Sequence, residues 1–523
     1  MSLCLPLRPS VLVLFGIFFV SLFCTAGSSP VNVYSFGAVG DGVHDDTRAF
    51  QNALDFVAVR GGGEVRVGLG RFRIDGAVTI RQGTRLVGGW RYAPVHVGDK
   101  RTWRPLDPMF FKGLGNNSVI EAYGGKGNET GTPLFSLEGN SAIVGLVIVY
   151  PQQTADLPMP IPFPWTIDLC SDERRSACAT GEAPTPANPG FPAYPGFCCT
   201  NNVVENIELF NSYNGIRASR SPRYLIRNVM GQPLHFGVLS EFMFDISRIE
   251  NVHFYSYFSS TDASLRFMRK HGVGFAFGRN DFIDVLNTYA WSYRTGYRFF
   301  NSTGADGGCA NGNLVGIQSD FTVENIRIEC TQGTGVSITN ALLTAFEHPS
   351  HPGSLKDIPV VVQSLPSHQG VVRFVNSNFW GPGAFEDFTP RQHSIVSLRG
   401  EGERVFFNGC SFLQWNNTST GASGGHEGTP ALVLLEGLGS SYAVTDSNFW
   451  TSRPTAQVQL GANIGSAVVT GNTMTHAVLI LGQEGSGNSS SPSDHLAVAH
   501  NVATRNVRPL HIAPPGWVRV REV

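Results

Sequence analysis

Apolar residues in the middle of the chain come in short alternating runs, and each run carries an asparagine. The runs are Val204–Phe210 (VENIELF), Leu225–Met230 (LIRNVM), Ile249–Phe254 (IENVHF), Val285–Tyr289 (VLNTY) and Val323–Ile328 (VENIRI). Asn206, Asn228 and Asn251 are about 22 and 23 residues apart, and repeats of 20–50 residues mark solenoids or propellers. A second series continues the pattern at Val375–Trp380 (VNSNFW), Phe407–Phe412 (FNGCSF), Thr445–Trp450 (TDSNFW) and Val469–Met474 (VTGNTM). Alternation with period two predicts strands with one residue inward and the next outward. Coils of this length predict a parallel β-helix of about ten to twelve turns between residues 78 and 505. Asparagines at equivalent turns of stacked coils can hydrogen-bond to one another, so the repeated Asn reads as structural.

Near the N-terminus the pattern changes. Val31–Leu54 reads VNVYSFGAVGDGVHDDTRAFQNAL: an extended run, a Gly/Asp turn, then apolar residues at helical spacing. Residues 46–58 are expected to form a short helix, with Asp46 as N-cap and Ala49, Phe50, Ala53, Leu54 and Val57 on its apolar face. Short glycine-bounded strands follow in GGGEVRVGLGRFRIDGAVTIRQGTRLVGG. Over about residues 31–90 the chain resembles the N-terminal cap of the rhamnogalacturonase/epimerase-like pectate lyase superfamily. The resemblance implies an all-β, single-stranded, right-handed parallel β-helix with a short capping helix, acting on polysaccharide. It implies the fold more strongly than the reaction, because one fold hosts many chemistries.

Composition narrows the compartment and the partners. Charged residues are 15% and glycines number 60 of 523, which suits short strands and tight turns. A net charge of −2 gives no electrostatic case for nucleic acid or anionic membranes. Residues 1–26 read as a signal peptide: Arg8, an apolar run from Val11 to Phe23, then Cys24-Thr25-Ala26 as cleavage site. A signal anchor is the alternative, although the apolar run is short for a span. Residues 27–523 are then one secreted β-helix domain, expected to be a monomer and free of the membrane after cleavage. Sequons at Asn116, Asn128, Asn301, Asn416, Asn417 and Asn488 fit a glycoprotein. Cys170, Cys178, Cys198 and Cys199 lie in a proline-rich insertion at about 151–199, where a disulfide staple is expected over zinc. Cys170–Cys199 with Cys178–Cys198 is one of three connectivities. Cys309 and Cys330 can pair, which leaves Cys410 as a buried thiol.

Chemistry concentrates between Glu241 and Arg298, where carboxylates, cations and aromatics recur together. Asp245, Asp281 and Asp284 are the acid/base candidates. Arg279 and Arg294 are the candidates for binding a substrate carboxylate, and Tyr289 and Trp291 for stacking on sugar. The bland alternative is a solvated charged face with ordinary ion pairs. The polygalacturonase pattern of N-T-D, D-D, G-H-G and R-I-K is not met: Tyr289 follows Asn287-Thr288, and Glu329 follows Arg327-Ile328. No cofactor is expected. Calcium enters only if the protein is a lyase, and Asp281 with Asp284 is too sparse to define its site. Asp41, Asp45 and Asp46 are read as turn and capping residues.

The sequence therefore points to a secreted polysaccharide-active protein on a pectin-like substrate, either a glycoside hydrolase or a uronate lyase/epimerase. A non-catalytic glycan-binding or structural β-helix is the alternative. N-terminal sequencing of the secreted protein is expected to begin near Gly27; an intact leader would contradict the reading.

Overall fold

The computed structural model describes residues 29–90, 117–155, 157–180, 199–259, 262–304, 306–347, 359–384, 394–414, 432–451, 457–461, 463–476, 479–481 and 495–505. The expected leader, Cys198 and the sequons at Asn116, Asn416, Asn417 and Asn488 lie outside them.

Extended strand pairs are all parallel, and each strand pairs with its counterpart one coil away. One 13-stranded sheet, from Val78–Ile80 to Leu479–Leu481, forms the third face of the coil. The remaining strands make a sheet that turns a corner, giving the first and second faces on either side of it. The result is a parallel β-helix, as the repeats predict. One coil illustrates the path: Leu225–Gly231 turns the corner at Asn228, Phe236–Glu241 lies on the third face, and Arg248–Phe254 begins the next coil. Thirteen third-face strands among the described residues slightly exceed the ten to twelve coils expected.

Inward residues stack in register. Val204, Ile226, Ile249 and Val285 form one column, and Ile207, Val229 and Val252 another. Ile326 belongs to the third-face column with Tyr297 and Val362. All of these are buried. Interior rings stack the same way: Phe275 on Tyr297 at 5.0 Å, and Phe374 on Phe407 at 4.9 Å between centroids. Burial at about 25 cal/mol per Å² makes this continuous core the main source of stability.

The corner between the first and second faces is set by left-handed residues. Asn206, Asn228, Asn251 and Asn287 have φ of 57, 53, 52 and 50°. A side chain with a β-carbon normally pays about 1–2 kcal/mol there, and Asn pays less because its short amide bonds locally. Each amide donates to the one below: Asn228 to Asn206 at 3.0 Å, Asn251 to Asn228 at 2.8 Å, and Asn287 to Asn251 at 3.2 Å. Later coils keep the conformation with Gly316, Asn340, Asn376, Gly409, Asp446, Gly471 and His500. One sequence match misleads. Asn325 of VENIRI is on the third face, where its buried amide bonds to Ser319, Thr322 and Thr344 instead of joining the ladder.

Helix α1 (Thr47–Val59) closes the N-terminal end, with Ala49, Phe50, Ala53, Leu54 and Val57 buried as predicted. Asp46 occupies the N-cap position without capping the helix. Its carboxylate turns back to accept Val39 N at 2.7 Å and Gly40 N at 3.1 Å, tying the preceding loop to the cap. The stretch 151–199 is not one loop. Trp165–Asp168, free of proline, continues the third face, and Asp172–Thr180 forms helix α2. Arg175 of α2 bonds Asp168 at 2.7 Å, so this segment packs on the third face. Disulfides join Cys170 to Cys199 and Cys309 to Cys330, and Cys410 is a buried thiol.

Asn251→Ala removes two ladder hydrogen bonds and leaves an alanine in left-handed backbone. It is expected to cost about 2–4 kcal/mol by denaturant titration, whereas Asn251→Gly relieves the backbone and costs about 1–2 kcal/mol. Equal costs would mean the ladder contributes without the turn.

Candidate functional site

The second face begins after each left-handed corner. Counting two residues on from the corner gives one outward column: His253, Tyr289, Gln318, Leu342, Asn378, Ser411 and Asn448. Counting four gives a second: Tyr255, Trp291, Asp320, Thr344, Trp380, Leu413 and Trp450. Aromatic rings run along the second column in contact. Tyr255 meets Trp291 at 5.2 Å, Trp291 meets Phe321 at 6.1 Å, Phe321 meets Phe346 at 5.3 Å, and Phe346 meets Trp380 at 5.8 Å. Tyr257 extends the row beyond Tyr255 at 5.6 Å. From Tyr255 to Trp380 the row climbs four coil steps, about 19 Å at about 4.8 Å per step.

Asp320 stands in this column between Trp291 on one coil and Thr344 and Trp380 on the next two, while the adjacent Phe321 supplies the ring of its coil. It is the only carboxylate among the residues just named in the two columns; further back the first column holds Glu208, two coils before His253. Burial pushes its pKa up to about 6, and the hydrogen bond from Phe321 N, at 2.9 Å, only partly offsets this. Burial also raises the Tyr289 hydroxyl far above its ordinary value, with the Asp320 charge adding to the shift, so Tyr289 stays protonated. His253 lies 6.3 Å from the Tyr289 ring and is held toward its neutral form by burial.

The backbone at this point is irregular. Asp320 and Phe321 together stand opposite Thr344, which is a β-bulge, and Phe321 has φ 54°. The bulge recurs where Gly381, φ 113°, and Pro382 oppose Ala345. A bulky residue in left-handed backbone beside a carboxyl of raised pKa is a combination found at functional sites, and it also occurs at Glu241 and Phe242 where the chain leaves the third face.

The residues predicted from sequence fall in several places. Tyr289 and Trp291 belong to the second-face site. Asp284 is outward on the first face, beside Arg248 and Asn313, whose amide bonds it at 3.2 Å. Asp245 and Asp281 lie at the turn from the third face to the first. Asp245 pairs with Arg223 at 3.1 Å, and Asp281 with Gln332 at 2.6 Å and Arg279 at 3.5 Å. Arg294 sits where the second face gives way to the third, paired with Glu324 at 2.7 Å. One groove holding all seven does not form, because consecutive strands of one coil point their outward side chains from different faces. Of the expected wall at 151–199, helix α2 packs on the third face, and residues 181–198 lie outside the described residues. Sequence reasoning missed Asp320, Phe321, Phe346 and Trp380. The available signal was Gly316, which holds the corner in place of Asn; four residues past it is Asp320.

A second polar and aromatic cluster lies elsewhere. Glu129 accepts from Asn214 at 3.2 Å and faces His235 Nδ1 at 2.9 Å, and the Trp165 and Phe236 rings are 5.8 Å apart. Among the described residues no group of three or more His, Cys, Asp or Glu side chains is placed to hold a metal ion, and no helix is long and apolar enough to cross a membrane.

Residues 30–102 match the family described as rhamnogalacturonase A/epimerase, pectate lyase-like, in agreement with the resemblance over residues 31–90. Mannuronan C5-epimerase AlgE2 of Azotobacter vinelandii is 44% identical over 64 residues, which are 11% of this chain and 6% of that protein. AlgE4 of the same organism is 39% identical over 64 residues, 11% of this chain and 12% of the relative. The chain thus matches only a small part of these relatives. Among solved structures, the A-module of Azotobacter vinelandii mannuronan C5-epimerase AlgE6 is 14% identical with a TM-score of 0.43, covering 93% of this chain and 100% of that one. A tailspike mutant of E. coli bacteriophage HK620 in complex with hexasaccharide is 11% identical with a TM-score of 0.49, covering 90% of this chain and 75% of that one.

The Asp320 pKa has a sign that can be measured. The folded carboxyl keeps its proton up to about pH 6, above the unfolded value of roughly 3.9. Between these values the folded state binds more protons than the unfolded chain, so this group's contribution to stability falls as pH rises through the window. Asp320→Asn is expected to melt higher than the parent at about pH 7 and identically at about pH 3.5. Equal melting at both would mean a solvated carboxylate.

Proposed function

We propose that the protein binds an extracellular polysaccharide along the second face and transfers a proton to or from it at Asp320 and Tyr289. The observation that carries the reading is a carboxyl of raised pKa set on the same outward column as Tyr255, Trp291 and Trp380. Aromatic faces stack on the apolar faces of sugar rings, and a row of them favours an extended glycan over a compact ligand. A carboxyl with a pKa near 6 is suited to accept or give a proton near neutrality.

Of the reactions open from the sequence, this arrangement favours uronate elimination or epimerisation over hydrolysis. Hydrolysis calls for two carboxyls about 5 to 9.5 Å apart, and Glu208, the first-column carboxylate, lies four coils from Asp320, about 19 Å at about 4.8 Å per coil. Both uronate reactions begin by removing the proton next to the sugar carboxylate. Asp320 would take that proton, and Tyr289, which stays protonated, would return one. In elimination the Tyr289 proton goes to the leaving glycosidic oxygen; in epimerisation it goes to the same carbon from the opposite side. Secretion is the reading that the expected leader supports, together with the two disulfides among the described residues.

Incubation with a panel of uronate and neutral polysaccharides tests the reading. New absorbance near 235 nm marks elimination, inversion at C5 without chain cleavage marks epimerisation, and reducing ends alone mark hydrolysis. Asp320→Asn and Tyr289→Phe are each expected to lower turnover by about 10²-fold or more. Trp291→Ala is expected to weaken binding about tenfold. Asp281→Asn serves as the comparison for the charge cluster at the other corner. Loss of activity there with Asp320→Asn unaffected would move the reaction to Asp281. Binding without turnover, reduced by Trp291→Ala, would leave a non-catalytic glycan-binding protein.

A further inference from the structure

Helix α3 (Asp262–His271) is inserted between the second-face strand ending at Phe254 and the third-face strand beginning at Val273. It brings one cation into the solenoid wall. Arg269 is 2% exposed, the bulkiest of the fully buried side chains among the described residues. Its guanidinium donates to the carbonyl oxygens of Phe321 and Phe346. These carbonyls belong to successive coils and lie beside the bulges described above. A bulge takes backbone groups out of the regular ladder, and buried carbonyls there need a donor from elsewhere.

A buried guanidinium is a costly way to fill space, because the charge must leave water. What it supplies that an apolar side chain cannot is a rigid fork with two directed donors. The fork holds Phe321 in its left-handed conformation, and the Phe321 N–H in turn donates to the Asp320 carboxylate. The chain of contacts thus runs from Arg269 through the Phe321 backbone to Asp320.

We infer that Arg269 is a positioning residue: it clamps the backbone of two successive coils so that the Asp320 carboxyl is held within the aromatic row beside Tyr289. The inference rests on the reading of that row as the site of proton transfer. It adds a device that the aromatic row alone does not require, since a row that only binds glycan has no need to fix a carboxyl.

The test follows Asp320 directly, without substrate. The titratable group set against it is Tyr289 on the preceding coil, with Trp291 and Thr344 as strand neighbours; each stays unchanged in the variants below. Carboxyl-¹³C-labelled aspartate is titrated by NMR, and the Asp320 signal is identified by its absence in Asp320→Asn. In the parent protein the midpoint is expected near 6. In Arg269→Lys and Arg269→Gln the bulge relaxes and water reaches the carboxyl, so the midpoint is expected to fall by about one pH unit or more. Far-UV circular dichroism establishes that each variant is folded. A folded variant with an unchanged midpoint would overturn the inference. Failure of both variants to fold would reduce Arg269 to a purely structural role and also overturn it. A midpoint that depends on Arg269 in a protein that binds no polysaccharide would uphold the inference and overturn the proposed function instead.

Discussion

The left-handed corner residue is the constraint on which the remaining structure depends. Each coil must turn sharply between the first and second faces, and it does so through one residue at positive φ. Asn supplies the conformation and also a side-chain amide that bonds to the coil below. The turn thereby fixes register. A slip of one residue would turn every inward side chain outward, so the ladder and the apolar core enforce the same alignment. Because the corner is fixed, the outward positions two and four residues later are fixed as well. The functional surface is in this sense a consequence of the turn.

That dependence explains what could be read from the sequence. The fold was legible because its signals are local and repeated: the Asn-centred runs, the capping helix and the glycine-bounded strands near the N-terminus. Tyr289 and Trp291 were legible as aromatics in a stretch of recurring charges. Asp320 was not, because its corner residue is Gly316 and the Asn-centred pattern lapses there. The same lapse brought Asn325 into the series by resemblance of its neighbours alone. Asp245, Asp281 and Asp284 were grouped with Tyr289 because they are near it in sequence. In a solenoid, residues close along one coil diverge onto different faces, whereas residues a full coil apart converge.

Several strained or costly features meet on the second face. Phe321 holds left-handed backbone without being Gly or Asn, Asp320 is partly buried without a cationic partner among its hydrogen bonds, and Arg269 is buried to serve two carbonyls. On the other faces many charges form ion pairs. On the first face Glu205 pairs with Arg227, and on the third Glu329 with Arg298 at 2.8 Å and Arg327 at 2.8 Å. Exposed pairs of this kind contribute up to about 1 kcal/mol each and need no further role. The joining of these features to a row of aromatic rings is the physical reason to put function on the second face.

The most direct test of this account is a structure determined with a bound uronate oligosaccharide. The account predicts sugar rings laid along Tyr255, Trp291, Phe321 and Trp380, with the carbon bearing a sugar carboxylate within reach of Asp320 and Tyr289. An oligosaccharide seated instead against Trp165 and Phe236 beside Glu129, or along the first-face ion pairs, would contradict it.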